Sequence, residues 1–281
     1  MASASKRKIA KIRVALTIAG SDPSGGAGLQ ADLKTFAACG VYGFSVLTAV
    51  IAQNSGQVAR VEPVAAALLT AQLETLLDER RPEALKTGAL ATAANVCAVA
   101  DAIERWNLPA PIVDPVLLAS SGAHLLDPAG VTALRDRLLP LARVVTPNLP
   151  EAESLSGLVI DSRPALVAAA RAIVELGTRA VVIKGGHSMR AATGPGAPRA
   201  ETGAIDLLFD GRQVVEFAAP RIANGGAHGT GCAFSAALTA YLARGLDLEA
   251  AVRRAKGFVT RALRQRLTLG RGRPVLDHFA G

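Results

Sequence analysis

Aromatic residues are scarce in this chain: its 281 residues include seven Phe, two Tyr and one Trp. Proteins that bind single-stranded nucleic acid rely on aromatic platforms interleaved with basic side chains. The formal net charge of +8 points toward such a partner, but its distribution does not. Residues 1–13 carry five basic and no acidic side chains, residues 250–281 carry eight and one, and residues 14–249 carry 18 basic against 22 acidic. The body is mildly acidic, so the excess reads as solvated ends and no nucleic-acid partner is expected. Cysteine is equally rare. Cys39, Cys97 and Cys232 are odd in number and form no C-x-x-C pair, which argues against a disulfide framework and fits a reducing, cytoplasmic setting. Cys39 and Cys97 lie in Ala-rich helical segments and read as inert packing residues. No apolar run reaches the length of a membrane span, so no membrane partner is expected. The basic start and the short apolar run after it look faintly like a signal peptide, but Arg13 interrupts the approach and Asp22-Pro23 follow at once. Residues 1–12 therefore read as a disordered basic tail and 13–281 as a single domain.

What the chain has in plenty is glycine and short apolar runs. Half of its residues are hydrophobic, enough for a sizeable core. The apolar runs predict strands over 14–19, 45–52, 84–87, 111–114, 144–146, 180–184, 205–209 and 214–217. The first six are β-branched or wholly apolar, as in strands buried on both faces. Longer helical patterns fall between them, over 28–38, 64–77, 93–106, 128–139, 149–155, 165–176, 230–242 and 248–267. Thr92 and Asp127, the latter followed by Pro128, mark helix starts, and Gly177 marks a helix end. The alternation predicts an α/β fold with a mostly parallel sheet covered on both sides. Ligands in such folds sit beyond the carboxyl ends of the strands, where Gln53, Asp114, Asn148 and Lys184 fall. Residues 188–203, rich in Ala, Gly and Pro, read either as a flap over a nucleotide or as an insertion without a role.

One run stands out: Asn224-Gly-Gly-Ala-His-Gly-Thr-Gly-Cys232, directly ahead of an apolar helical pattern. The first amides of a helix lack internal partners, the dipole is positive there, and glycines let a phosphate approach the backbone. Gly229, Thr230, Gly231 and Cys232 would supply those amides. Taken alone, the run is equally well read as a tight turn in which glycine permits positive φ. Cys232 is a candidate base, since a helix N-terminus lowers a thiol pKa from its usual value of about 8.5. Asp114 ends an apolar strand and is placed to hold Mg²⁺ through water. Asn148 and Glu151 have capping-box spacing, which is compatible with a role beside a metal. Lys184, at a strand end, is a point charge for phosphates.

Further blocks extend the pattern. Gly20-Ser-Asp-Pro-Ser-Gly-Gly-Ala-Gly28 follows the first strand, and then come Ala49-Val-Ile-Ala-Gln-Asn54, Ile112-Val-Asp-Pro-Val116, Val145-Thr-Pro-Asn-Leu-Pro-Glu151 and Val182-Ile-Lys-Gly-Gly-His187. In this order, with His-Gly-Thr-Gly-Cys, they resemble the hydroxymethylpyrimidine/phosphomethylpyrimidine kinases of thiamin biosynthesis, in the ribokinase-like superfamily. The resemblance implies a three-layer α/β/α sandwich and a homodimer. It implies ATP and Mg²⁺ as cofactors and phosphorylation of 4-amino-5-hydroxymethyl-2-methylpyrimidine and then of its monophosphate. It places Gly20, Ala27, Asp32, Ile51, Gln53 and Cys232 on the substrate, with Asp32 and Gln53 hydrogen-bonding the ring. It places Lys184, Asn148, Glu151 and His228 on the nucleotide, and Asp114 and Glu151 on the metal. Asp32 also reads as a solvated helix position. Three residues depart from the family pattern: Ala89 and Leu117 stand where methionine is usual, and Ala227 where threonine is usual. They bear on the acceptor pocket more than on phosphoryl transfer, which leaves a pyridoxal-type kinase as the nearest alternative. An NAD-dependent oxidoreductase is disfavoured because the first glycine turn lacks G-x-G-x-x-G spacing. A catalytically silent ligand-binding protein would bind ATP without turning it over.

Overall fold

In a computed structural model that describes residues 12–119, 121–185, 203–222 and 226–280, the short apolar runs come together as one sheet. Its strands are β1 (Val14–Ala19), β2 (Tyr42–Leu47), β5 (Ala84–Thr87), β6 (Ile112–Val113), β7 (Val144–Val145), β8 (Val181–Ile183), β9 (Gly203–Phe209) and β10 (Val214–Pro220). They lie in the order β10-β9-β8-β7-β6-β5-β1-β2. All neighbours from β2 to β8 pair in parallel, and β9 and β10 pair antiparallel at the far edge. A separate antiparallel hairpin, β3 (Ala49–Gln53) with β4 (Val58–Pro63), stands outside this sheet.

Alternating side chains along each strand feed two cores, because successive residues point to opposite faces. Leu16, Ile18, Leu85, Val113, Val145, Val181 and Ile183 pack on one face against α2 (Ala66–Glu79), α3 (Ala93–Arg105), α5 (Leu149–Ser156) and α6 (Arg163–Glu175). Ala15, Ala84, Ile112, Val144, Val182 and Leu208 pack on the other against α1 (Gly28–Ala38), α7 (Thr230–Ala243) and α8 (Leu248–Arg264). The result is the expected three-layer sandwich. Helix α7 is buried along almost its whole length, which fixes its N-terminus at the carboxyl end of the sheet. Among the described residues, no helix is long and apolar enough to cross a membrane.

Several elements match expectation, including β1, β5 and α1 residue for residue. The predicted strand over 45–52 is instead two strands divided at Thr48. Thr48 donates its amide to Ala19 O at 3.0 Å and its hydroxyl to Ala89 O at 2.6 Å, and accepts from Val64 N at 2.9 Å, so the chain turns out of the sheet there. Strand β4 was not expected; Arg60 and Glu62 leave it no apolar run to signal a strand. The predicted helix over 128–139 begins as α4 (Pro128–Ala133) but widens into a π turn over Leu134–Leu138 and tightens over Leu139–Leu141, where Pro140 removes a donor. Thr92 accepts from Asn95 N at 3.2 Å, and Gly177 takes φ +100°, as their positions predict. The segment 188–203 lies outside the described residues except Gly203, which opens β9, and so does the tail 1–12 except Ile12.

Candidate active site

Two glycine turns, each at the start of a buried helix, are packed against one another. The first leads from β1 into α1 and is organised by Asp22. Its carboxylate accepts from Ser24 N at 2.9 Å, from Ala27 N at 2.7 Å and from His228 on the second turn at 2.8 Å. Gly28 adopts φ +58°, and a Cβ there would lie 2.6 Å from Gly20 O. The second turn leads into α7. Gly229 adopts φ +79°, and any side chain there would collide with the Gly26 carbonyl. This close backbone approach aims the opening amides of α7 at the space beyond the strand ends.

That space is a cavity of about 420 Å³. Gly229, Thr230, Gly231 and Cys232 line it together with Gly20, Ala27, Asp32, Ile51, Gln53 and Ala89. Asp114, Asn148, Glu151, Lys184 and His228 line it as well, so the candidate catalytic, substrate, nucleotide and metal residues all border one space. Asn224 and Gly225 lie outside the described residues.

At one end the charges are dense. Lys184 Nζ lies 2.9 Å from Asp114 Oδ1, and a Cβ on Gly231 would come within 3.0 Å of that ammonium, so glycine gives Lys184 its place under the turn. Asp114 also accepts from Thr146 at 3.3 Å and Ser235 at 3.1 Å. Burial raises the Asp114 carboxyl, but Lys184 and Lys86 outweigh it and hold it below its ordinary range. Asn148 and Glu151 form a complete capping box at the start of α5, with bonds of 2.9 and 2.8 Å. Burial, opposed by Lys184 and reinforced by Asp114, pushes Glu151 up to about 7.

The other end is apolar and tied to the hairpin. Ile51 donates its amide to Ser21 Oγ at 3.0 Å, and Gln53 Nε2 donates to Ser21 O at 3.2 Å. Gly20 leaves room for Ile51, whose Cδ1 would lie 2.8 Å from a Cβ there. Ala89 packs on a small cluster formed by Ala49, Ile51, Ala91 and Leu125. Leu117 is buried in the main core instead, so its departure from the family pattern does not bear on the acceptor wall.

Two local expectations change, the acidity of Cys232 and the solvation of Asp32. Cys232 is not acidified by its helix. Burial dominates and, with Asp114 and Asp32 nearby, pushes the thiol up to about 12 against the pull of Lys86. Asp32 is not a solvated helix position. It is fully buried, with Lys86 Nζ 3.0 Å from each carboxylate oxygen and Thr17 donating at 2.6 Å. His228 is anchored to the protein: its ring meets Asp22, its amide donates to Pro274 O at 2.8 Å, and Nδ1 has no partner among the described residues. Lys86, Asp22 and a further ion pair, Lys256 to Asp206 at 2.9 Å, were not singled out from sequence. Lys86 lies inside β5, one residue before its end, Lys184 directly follows β8, and Lys256 sits on the buried face of α8 with Val252 and Val259. Those positions are the available signals. Lys86→Met should destabilise the fold by about 3–5 kcal/mol, because it strands a buried carboxylate. Combining it with Asp32→Leu should recover most of that loss in urea unfolding; a single variant as stable as the parent would show that Asp32 is not left as an uncompensated buried charge.

Residues 22–277 match the phosphomethylpyrimidine kinase family. The chain is similar to the hydroxymethylpyrimidine/phosphomethylpyrimidine kinase of Rhizobium meliloti (strain 1021), at 45% identity over 269 residues, covering 95% of this chain and 97% of the relative. It is similar to the thiamine biosynthesis bifunctional protein ThiED of Geobacter sulfurreducens, at 42% identity over 264 residues. That match covers 94% of this chain and 52% of the relative, so the chain spans about half of the bifunctional protein. Its fold is similar to that of Bacillus subtilis pyridoxal kinase solved as an ADP complex, with a TM-score of 0.85, 38% identity and coverage of 96% of this chain and 98% of that one.

Proposed function

This chain belongs to the phosphomethylpyrimidine kinase family, and from that premise we propose that the cavity between its two glycine turns is the place of phosphoryl transfer. The protein is an ATP-dependent kinase of thiamin biosynthesis. It phosphorylates the hydroxymethyl group of 4-amino-5-hydroxymethyl-2-methylpyrimidine and then the resulting monophosphate. The observation that carries the site assignment is the meeting, in one cavity, of the Gly229–Cys232 turn, the Lys184–Asp114 pair and an apolar wall from the hairpin.

Phosphoryl transfer is chiefly positioning and charge stabilisation. In this reading the acceptor ring lies against Gly20, Ile51 and Ala89, with the Gln53 amide on its polar edge. The amides of Gly229, Thr230, Gly231 and Cys232 receive the charge of the transferred group, and Lys184 neutralises the phosphates beside them. The acceptor oxygen bonds to the γ-phosphorus as the bond to ADP breaks. In the first transfer the hydroxyl proton passes to the Cys232 thiolate, the minor form in which the thiol has already released its own proton to solvent. His228 acts through Asp22, holding the two turns together, and Asp32 acts through Lys86 as part of the floor. Asp114, Glu151 and Asn148 offer the hard oxygen donors that suit Mg²⁺. Among the described residues no three His, Cys, Asp or Glu side chains cluster into a metal cage, so an ion here would be held jointly with nucleotide phosphates, whose charge it would neutralise. Residues 13–281 acting as a single kinase domain, a homodimeric assembly and a cytoplasmic location belong to the same proposal, on the strength of the family resemblance.

The direct test is ADP release across a panel of pyrimidine and pyridine ring alcohols, with the pyrimidine expected to give the highest kcat/KM. ATP binding without turnover on any of them would reduce the protein to a ligand binder. A pyridoxal-type activity is the second reading, favoured by the pyridoxal kinase fold match and by Ala89. Alanine leaves one wall short of the methylenes that methionine would supply, each worth about 0.8 kcal/mol when buried. Ala89→Met should therefore tighten pyrimidine binding by one to two orders of magnitude and impair bulkier acceptors. Unchanged KM for both would mean that another side chain closes that wall.

A further inference from the structure

The two transfers of the proposed reaction differ in one respect that the site described so far does not address. The first acceptor is a neutral alcohol; the second is a phosphate monoester carrying close to two negative charges at neutral pH. A site serving both needs a cation that meets the acceptor's own phosphate, in addition to the groups that hold ATP. Lys184 is committed to Asp114, Lys86 to Asp32 and Lys256 to Asp206.

Among the described residues two cations line the cavity without such a commitment: Arg221, which follows β10 at the far edge of the sheet, and Arg273, beside the hairpin. Arg273 borders it, and among the described residues its guanidinium has neither a salt bridge nor a hydrogen bond to an acceptor. It sits on the strap that follows α8, and this strap is fixed at several points. Pro274 O receives the His228 amide at 2.8 Å, and Leu267 and Val275 exchange backbone bonds of 2.8 and 2.9 Å. Val275 packs against Gly26 of the first turn, with Cγ1 2.7 Å from where a Cβ would stand. Gly272 lies flat on the tip of the hairpin, where a Cβ would meet Ser55 Oγ and the Gly56 amide. The strap therefore holds Arg273 between the second glycine turn and the hairpin that carries Ile51 and Gln53. That is the acceptor's side of the cavity, away from the Lys256–Asp206 pair. The neighbouring His228 imidazole is already engaged with Asp22, which leaves the guanidinium as the charge available at this edge.

We propose that Arg273 is the specificity-determining residue for the charged acceptor: its guanidinium binds the phosphate of the pyrimidine monophosphate in the second transfer. A guanidinium presents paired N–H donors matched to phosphate oxygens, which a lysine cannot reproduce in geometry. The inference rests on the two-step pyrimidine kinase reading and makes a claim that reading does not contain.

The test compares kcat/KM for the alcohol and for the monophosphate in the wild type, Arg273→Gln, Arg273→Lys and Arg271→Gln. A charge-assisted hydrogen bond lost from one acceptor should lower the monophosphate-to-alcohol ratio by roughly ten- to a hundredfold in Arg273→Gln. Arg273→Lys should restore part of the ratio, and its remaining preference should weaken with added salt. Arg271 borders only the outer cavity beside the hairpin tip, so Arg271→Gln should keep the wild-type ratio. A general loss of folding or of ATP use would lower both activities and leave the ratio where it was, which overturns the inference. A wild type that turns over neither pyrimidine acceptor sinks the two-step reading and this inference together. A wild type active on both, with an unmoved ratio in Arg273→Gln, sinks the inference alone.

Discussion

Alanine at Cys232 should lower kcat/KM for phosphorylation of the alcohol by roughly 10²–10⁴, the range expected for loss of a general base. Transfer to the monophosphate should fall far less, because its attacking oxygen already lacks a proton. ATP affinity, read by calorimetry, should survive, since the amides of the turn remain. The pH profile carries a second readout. A thiol held up to about 12 is almost wholly protonated at neutral pH, with a thiolate fraction on the order of 10⁻⁵. Because the reactive form is the one that gains population as pH rises, the alcohol rate should climb about tenfold per unit through the neutral range and show no plateau near 8.5. The monophosphate rate should lack that slope. Full first-step activity in Cys232→Ala, or a plateau near the ordinary thiol pKa, would remove Cys232 from the role of base.

The second large effect belongs to Lys184 and Asp114. Lys184→Met removes the cation beneath Gly231 and should cost on the order of 10²–10³ in kcat, the typical loss for one strong electrostatic stabiliser. Asp114→Asn should cost a similar factor. It keeps the side-chain shape, but it turns the acceptor facing either Thr146 or Ser235 into a donor and discards the charge that balances Lys184. Both losses should appear in nucleotide-dependent parameters while KM for the pyrimidine stays near the parent value. The single variants should also unfold more easily, since each strands one member of a buried pair, and Lys184→Met with Asp114→Asn should be less than additive in stability. If either variant instead lost pyrimidine binding with normal nucleotide kinetics, the two ends of the cavity would be assigned the wrong way round.

How much of this was legible in the sequence depended on the kind of signal. A strand such as Val14–Ala19 is buried on both faces and almost wholly apolar, so hydrophobicity marks its limits. Thr48 gives no such mark. A single polar residue in an apolar run reads as continuation, and the bonds that turn the chain there come from Ala19, Val64 and Ala89, distant in sequence. Strand β4 was missed because its side chains are largely exposed and charged. Site residues were found where a glycine turn or a strand end frames them. Asp22 and Lys86 were passed over because a carboxylate that organises a turn, or a lysine that neutralises a buried aspartate, is defined by its partner, and the partner is not local. The same cause explains Cys232. Its helix position is local and suggests an acidic thiol, whereas its burial and its acidic neighbours are tertiary and decide the outcome.

The hairpin formed by Ala49–Gln53 and Val58–Pro63 stands apart from the eight-stranded sheet. Asp114, Lys184 and the opening of α7 all hang on the sheet side, while Ile51 and Gln53 hang on the hairpin. Recognition of the acceptor therefore draws on the hairpin as well as on Gly20 and Ala89, whereas activation of the phosphate is built on the sheet side alone; the two meet at Ser21, at the cluster around Ile51 and Leu125, and at the strap by Gly272. Mutation can reshape one part while the other is inherited intact. A lineage of kinases on this architecture could thus change its diet by rewriting acceptor-side positions of the hairpin and strap, without reinventing the transfer of phosphate.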